Sequence, residues 1–169
     1  TNAADVWTFV EKNGQVVIEW QYADTEAAET HLRNMLGPLY AHLKEKGWDK
    51  MWLQNVCDEV QGIKPRIQVS ALMPTCQTID AGFTNLTQFG DSLDIPAFRL
   101  DNYSQVIDKC KALQENGHTL WIYTCNGPQG NSMSRMNDFP LLSTRALGWY
   151  TWQNGIDGYL HWAWNRWNS

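Results

Sequence analysis

The chain has 169 residues, of which 43% are hydrophobic and 18% charged, with a formal net charge of −5. This composition describes one globular domain with a sizeable core. Its 13 Lys and Arg residues are scattered, so no basic patch predicts a nucleic-acid partner. No run approaches the roughly 18 consecutive apolar residues of a membrane span, and the N-terminus lacks the basic and apolar regions of a signal peptide.

The chain opens with a predicted β-hairpin. Residues 6–10 and 16–20 are rich in strand-forming residues, and Asn13-Gly14 between them is typical of a tight turn.

A helix is predicted next, over residues 25–46, with leucines on one side. Gly37-Pro38 predicts a break in this helix, with Pro38 in the first turn of its second half. Gly47 is expected to form its left-handed C-terminal cap.

The rest of the chain alternates apolar strands with amphipathic helices that end at Gly. Strands are predicted at residues 51–57, 67–72, 95–98, 120–125 and 159–164, and helices at residues 104–116 and 140–153. This alternation predicts an α/β fold with a parallel sheet and outer helices. With residues 16–20 as the first strand, the sheet has about six strands. The pattern alone is compatible with a doubly wound sheet and with a barrel.

Asp58 and Glu59 stand side by side where the strand at residues 51–57 ends. Adjacent carboxylates at the end of a buried strand raise the pKa of one of the pair, which prepares it to act as a general acid. The structural alternative is that Asp58 caps a following helix while Glu59 pairs with Arg145.

The chain has 10 Trp and 4 Cys residues. Most of the Trp side chains are expected in the core, although Trp faces also stack on sugar rings, which favours a carbohydrate ligand. The cysteines have neither zinc-site spacing nor a CxxC pair, so we expect no metal and mostly buried free thiols.

Three segments carry a resemblance to a known family. The closing stretch contains Asp138-Phe-Pro-Leu-Leu-Ser-Thr-Arg145 and Gly158-Tyr-Leu-His161-Trp162-Ala-Trp164-Asn165. Upstream lie Gly47-Trp48 leading to Asp58-Glu59, and Leu120-Trp-Ile-Tyr-Thr-Cys125. Together they resemble the catalytic domain of glycoside hydrolase family 123, from about Leu32 to the end of the chain.

The resemblance implies a β-N-acetylgalactosaminidase-like enzyme on a (β/α)8 TIM barrel that needs no cofactor. It cleaves a terminal β-linked N-acetylhexosamine of a glycan with retention, using the substrate's own 2-acetamido group as nucleophile. Glu59 would be the acid and base, and Asp58 would orient the acetamido group. The sequence does not fix the compartment, and a periplasmic or extracellular location is favoured over a cytoplasmic one.

Barrel enzymes build their sites at the carboxyl ends of their strands, which suggests the remaining substrate contacts. The expected substrate-binding residues are Trp121, Tyr123, His161, Trp162 and Asn165. Strand alternation does not allow His161 and Trp162 to face the barrel interior together unless the strand has ended or bulged between them. As structural alternatives, His161 is a core histidine and Trp162 a packing residue.

Two features depart from a full barrel, which has eight strands and about 250 residues. About six strands predict an incomplete barrel, the C-terminal portion of one domain covering residues 1–169. Only residues 60–66 separate Glu59 from the strand predicted at residue 67, whereas a parallel crossover takes about a dozen residues or more. This predicts either a missing segment or a barrel that does not close, with exposed strand edges that favour homo-oligomers.

Two other functions fit the sequence. One is a carbohydrate-binding domain that has lost catalysis. The other is a conventional two-carboxylate glycosidase in which Asp94, Asp101 or Asp157 is the distant partner.

Overall fold

The computed structural model describes residues 5–22, 25–57, 63–82, 84–89 and 92–162. The protein has an α/β fold in which a β-hairpin precedes a five-stranded sheet with the strand order β3-β4-β5-β6-β7. The strands are β1 Asp5–Lys12, β2 Gln15–Tyr22, β3 Leu53–Asn55, β4 Gln77–Gly82, β5 Ile95–Arg99, β6 Trp121–Thr124 and β7 Gly158–His161. The helices are α1 Glu26–Lys46, α2 Ile63–Leu72, α3 Leu100–Glu115 and α4 Leu141–Gln153, and short 3₁₀ turns occupy Asp49–Met51 and Thr84–Gln88.

The chain divides into two compact units. The first consists of Thr1–Asp80 and Asp91–Asp94, and the second of Ala81–Gly90 and Ile95–Ser169. In the first unit β3 and β4 pair in parallel. In the second, β6 pairs in parallel with both β5 and β7.

The N-terminal hairpin is confirmed. β1 and β2 pair antiparallel, with Lys12 opposite Gln15. Asn13 and Gly14 both have positive φ angles, of 52° and 74°, as a two-residue hairpin turn requires. However, β1 and β2 form a separate two-stranded sheet. The prediction that residues 16–20 form the first strand of the parallel sheet is therefore wrong.

Helix α1 is continuous, so the predicted break at Gly37-Pro38 is also wrong. Its C-terminal cap is confirmed, since Gly47 adopts a φ of 69°. Thr25, which was predicted as the first helical residue, is the N-cap, and its side chain accepts from the Ala28 N–H. Pro38 removes one hydrogen bond inside the helix. The packing of the leucine face offsets this loss, because Leu36 and Leu43 lie in a buried cluster with Val69 and Met73 of the α2 region.

Residues 67–72 were predicted as a strand but lie in helix α2. The buried residues of α2 are Pro65, Arg66 and Val69, and Met73 just after the helix is also buried. Residues 66, 69 and 73 follow a helical spacing. Pro65 stands in the first turn, where proline is tolerated. The polar and apolar alternation of Ile67-Gln-Val-Ser was misleading, because short apolar runs fit either element.

The strand that follows β3 is β4, which was not predicted because Thr78 and Asp80 interrupt its apolar pattern. Both residues are nevertheless buried. With β4 as the next strand, the connection from Asn55 to Gln77 contains α2. This connection is long enough for a parallel crossover. The argument that a short connection requires a missing segment or an unclosed barrel therefore no longer applies.

The expected core position of the Trp residues is wrong for the part of the chain that the structure describes. Of the Trp side chains whose burial the structure describes, at residues 20, 48, 52, 121, 149, 152 and 162, none is buried, and Trp149 and Trp152 on α4 are 72% and 80% exposed. The cysteines fit their prediction, since all four are free and Cys57, Cys76 and Cys110 are buried. Within the described ranges, none of the helices is both long and apolar enough to cross a membrane.

Candidate active site

The carboxyl end of β3 is held by a carboxylate of the neighbouring strand β4. Beyond Asn55, the backbone N–H groups of Val56 and Cys57 donate to Asp80 Oδ1 over 3.0 and 2.7 Å. The next two residues in the sequence are Asp58 and Glu59. These two predicted catalytic residues lie outside the described residues, so their roles remain predictions.

The second oxygen of Asp80 forms a buried ion pair. Arg66 Nη2 of α2 lies 2.6 Å from Asp80 Oδ2, and both side chains are fully buried. Burial raises the pKa of Asp80, while the Cys57 amide, the Arg66 guanidinium and the Val56 amide oppose this rise by favouring the carboxylate. Asp80 is thus tied to both the β3 end and α2.

Cys57, which directly precedes Asp58, does not supply a reactive thiolate. Burial, aided by the charge of Asp80, raises the pKa of the Cys57 thiol to about 11. The thiol is therefore protonated near neutral pH and has a packing role.

Asp94, Asp101 and Asp157 are the candidate distant carboxylates of a conventional glycosidase. Two of them, Asp94 and Asp157, form hydrogen bonds at the amino ends of strands. Asp94 precedes β5, and its Oδ2 accepts from the N–H and the hydroxyl of Thr78 over 2.7 and 2.8 Å. Asp157 precedes β7 and accepts from the Leu120 N–H over 2.9 Å. Parallel α/β enzymes place their chemistry at the carboxyl ends. The positions of Asp94 and Asp157 at the amino ends therefore argue against either residue as a catalytic partner.

Asp101 lies at the other end of a strand, just after β5. Its Oδ1 is 2.6 Å from Arg99 Nε, and both side chains are partly exposed. Of the three alternatives, Asp101 alone stands at a carboxyl end, and it is already paired there with a cation.

A polar cluster lies at the carboxyl ends of β6 and β7 in the second unit. The Thr124 hydroxyl contacts both the Tyr159 hydroxyl and His161 Nδ1, and the Tyr159 hydroxyl lies 3.2 Å from the same nitrogen. The Tyr159 and His161 rings are stacked, with centroids 6.3 Å apart. Arg135 places its guanidinium over the Tyr159 ring, 5.5 Å from the centroid.

The electrostatics of this cluster favour the neutral form of His161. Burial and the nearby positive charge of Arg135 lower the pKa of His161 from its ordinary value of 6.5. A hydroxyl that donates to Nδ1 selects the tautomer with the proton on Nε2. In that tautomer Nε2 can donate a hydrogen bond to a ligand without charge, whereas in the other tautomer Nδ1–H donates to a hydroxyl and Nε2 is an acceptor.

The structure does not bring Trp121 and Tyr123 together with His161. Thr124 pairs with His161, and Tyr123 with Leu160. Side chains alternate along a strand, so Trp121 and Tyr123 lie on one face of the sheet and Thr124 and His161 on the other. Tyr123 is buried, and the Trp121 indole covers Gly158, where an added Cβ would overlap the ring.

The last two predicted substrate contacts follow β7. Strand β7 ends at His161, so the strand has ended between His161 and Trp162, as their joint prediction requires. The Trp162 N–H donates to the Thr124 carbonyl over 3.1 Å, and its side chain is 44% exposed. Asn165 lies outside the described residues.

Sequence reasoning missed the partners of both clusters. Thr124 and Tyr159 could have been found, because the alternation of β6 and β7 places them on the His161 face. Arg135 lies in an irregular segment between β6 and α4, where no periodicity predicts its position. Asp80 and Arg66 were missed because β4 was not predicted and the α2 region was predicted as a strand.

Parallel strands with polar side chains gathered at their carboxyl ends are the arrangement of α/β enzymes. The family of the chain follows from comparison with known protein families. The family model of the glycoside hydrolase 123 catalytic domain matches residues 1–169. The chain belongs to this family.

A solved structure supports the fold. It is that of a family 123 glycoside hydrolase from Clostridium perfringens, described for glycolipid glycan hydrolysis, with a TM-score of 0.70 and 18% sequence identity. The match covers 96% of this chain and 29% of that one, so the chain spans less than a third of that protein's length. No curated protein matches the sequence.

Proposed function

We propose that the protein hydrolyses terminal β-linked N-acetylhexosamine, with N-acetylgalactosamine favoured, by substrate-assisted retaining catalysis. The Glu59 carboxylic acid protonates the departing glycosidic oxygen, and the Glu59 carboxylate later activates water. Asp58 orients and polarises the acetamido N–H while the acetamido oxygen attacks the anomeric carbon. The resulting oxazolinium ion is hydrolysed with retention.

The sequence separation of the two carboxylates supports this mechanism over a conventional one. Ordinary retaining enzymes need carboxyl groups about 5 to 5.5 Å apart across the sugar, and inverting enzymes need about 6.5 to 9.5 Å. Different strands normally supply these groups. When the substrate brings its own nucleophile, consecutive residues such as Asp58 and Glu59 are enough.

The observation that carries the proposal is the anchoring of the chain just before Asp58. Two consecutive N–H groups, of Val56 and Cys57, are fixed on one buried carboxylate oxygen of Asp80. Catalytic groups act efficiently only from a well-defined position. A rigid strand end that leads into a carboxylate pair is therefore a suitable origin for an acid and its orienting partner.

Substrate contacts belong to the same proposal. His161, neutral and held by Thr124 and Tyr159, is suited to a hydrogen bond with a sugar hydroxyl. The half-exposed Trp162 indole offers an apolar surface for a sugar ring. Asn165 remains a predicted contact because it follows β7 in the sequence. Trp121 and Tyr123 lie on the other face of the sheet from His161, so they are not part of this group of contacts. A glycan on a lipid, as named for the Clostridium perfringens protein, is one source of the substrate.

The test uses purified protein and a nitrophenyl N-acetyl-β-galactosaminide. Glu59→Gln should lower kcat by about 10²- to 10⁴-fold, the usual contribution of a general acid. The loss should be larger for a sugar leaving group than for nitrophenolate, because a good leaving group needs less protonation. Asp58→Asn should also lower kcat.

Glu115→Gln, which neutralises an exposed carboxylate at the end of α3, is the control and should leave kcat unchanged. Sugar binding by the unmodified protein without turnover would contradict the proposal and favour a carbohydrate-binding domain. Equal activity of Glu59→Gln and the unmodified protein would also contradict it.

A further inference from the structure

The Arg66–Asp80 ion pair is not explained by fold stability alone. Both side chains are fully buried, with Nη2 and Oδ2 2.6 Å apart. Removing two charges from water is costly, and apolar side chains of similar volume are often as stabilising as a buried ion pair. The hydrogen bonds from the Val56 and Cys57 N–H groups to Asp80 indicate a second role for the pair.

Asp80 uses its two oxygens for different tasks. Oδ2 faces Arg66, whereas Oδ1 accepts from the N–H groups of Val56 and Cys57 over 3.0 and 2.7 Å. These amides lie just beyond Asn55, where β3 has ended, so the sheet ladder no longer fixes the chain direction. For Val56 and Cys57, the Asp80 carboxylate accepts the backbone hydrogen bonds that a neighbouring strand would otherwise accept.

The geometry points to Asp80 as a positioning residue for the Asp58-Glu59 pair, with Arg66 holding Asp80 in place. This inference rests on the proposed function. Asp80 acts through the backbone of Val56 and Cys57, which lead directly into the two carboxylates. A displacement of about 1 Å at a reacting group can lower a rate by about 10²-fold. The anchor is therefore expected to govern kcat more than substrate binding.

Two matched double variants separate positioning from stability. Asp80→Asn with Arg66→Gln removes both charges but keeps an amide oxygen that can accept from the two N–H groups. Asp80→Leu with Arg66→Met removes the charges and the acceptor while keeping the branched shape of residue 80 and an extended side chain at residue 66. Thermal unfolding shows whether each variant folds, and kcat and KM are measured with the nitrophenyl N-acetyl-β-galactosaminide.

The Asn/Gln variant should keep kcat within about threefold of the unmodified protein, whereas the Leu/Met variant should lose about 10²-fold in kcat with KM changed less than about threefold. A folded Leu/Met variant with unchanged kcat would overturn the inference. So would a folded Asn/Gln variant that loses more than about tenfold in kcat, and this second result does not depend on the folding of the Leu/Met variant.

Turnover of the same substrate by the unmodified protein tests the proposed function itself. If the unmodified protein does not turn over the substrate, the proposed function fails and the positioning role fails with it. If it does, and the variants behave against expectation, the positioning role alone fails.

Discussion

At the scale of single residues, the Trp121 indole lies directly over Gly158. The two residues face each other across β6 and β7. A side chain at position 158 would occupy the space of the ring. Glycine is therefore required here for packing, and its φ angle is not the reason, because Gly158 is not among the glycines with positive φ.

Gly158→Ala should lower the free energy of unfolding by about 1–3 kcal/mol, the usual cost of overpacking. Urea denaturation measures the change. Gly148→Ala is the control, because Gly148 lies in α4 with open space around it. The Gly158→Ala cost should shrink when Trp121 is replaced by Leu, and an unchanged cost in that background would contradict the packing argument.

His161 gives the fold a dependence on pH. Its folded pKa is below the ordinary value of 6.5, so between these two values the unfolded chain binds more protons than the folded one. The free energy of unfolding should therefore fall as the pH drops below about 6.5 and should level off below the folded pKa. Above about 6.5 the group has no effect, since His161 is neutral in both states.

Urea denaturation from about pH 7.5 to about pH 5 tests this sign. The difference in unfolding free energy between the unmodified protein and His161→Gln should change with pH in that window, in the direction of a smaller advantage for His161 at low pH. A difference that is constant with pH would show that His161 does not titrate abnormally.

Residue chemistry also explains what the sequence could not reveal. Thr78 and Asp80 look like surface residues in the sequence, yet both are buried because partners satisfy them. Those partners are Asp94 for Thr78 and Arg66 for Asp80, which are distant in sequence. Periodicity records which positions are apolar and carries no information about such pairings.

At the scale of elements, the ends of α1 were predictable and its interior was not. Caps depend on a few adjacent residues: Gly47 donates to the Lys44 carbonyl and Trp48 to the Leu43 carbonyl, as in a Schellman motif. The continuity of the helix through Pro38 depends on packing against α2, which a local pattern does not contain.

Substitutions at two glycines of this region should have opposite effects. Gly47→Ala should lower the free energy of unfolding by about 1–2 kcal/mol, because Gly47 has a φ of 69°. Gly37→Ala should raise it by about 0.5–1 kcal/mol, because Gly37 lies inside α1 with open space at its Cβ position. Thermal or urea unfolding measures both, and equal signs would contradict the assignment of the helix end.

At the scale of the whole molecule, the α/β class followed from the alternation of elements, and the family followed from three motifs. The strand order did not follow, because one helix was mistaken for a strand and β4 was missed. At the carboxyl ends of the strands the structure places His161 with Thr124 and Tyr159, and Asp58 and Glu59 follow β3 in the sequence. The functional roles of these residues stay predictions.

The central claim is that the substrate's acetamido group is the nucleophile. It is tested most directly by comparing kcat/KM for nitrophenyl N-acetyl-β-galactosaminide and for its N-trifluoroacetyl analogue. Fluorine weakens the acetamido oxygen as a nucleophile, so kcat/KM should fall by more than about tenfold, which corresponds to about 1.4 kcal/mol of activation free energy. Equal values for the two substrates would contradict the account.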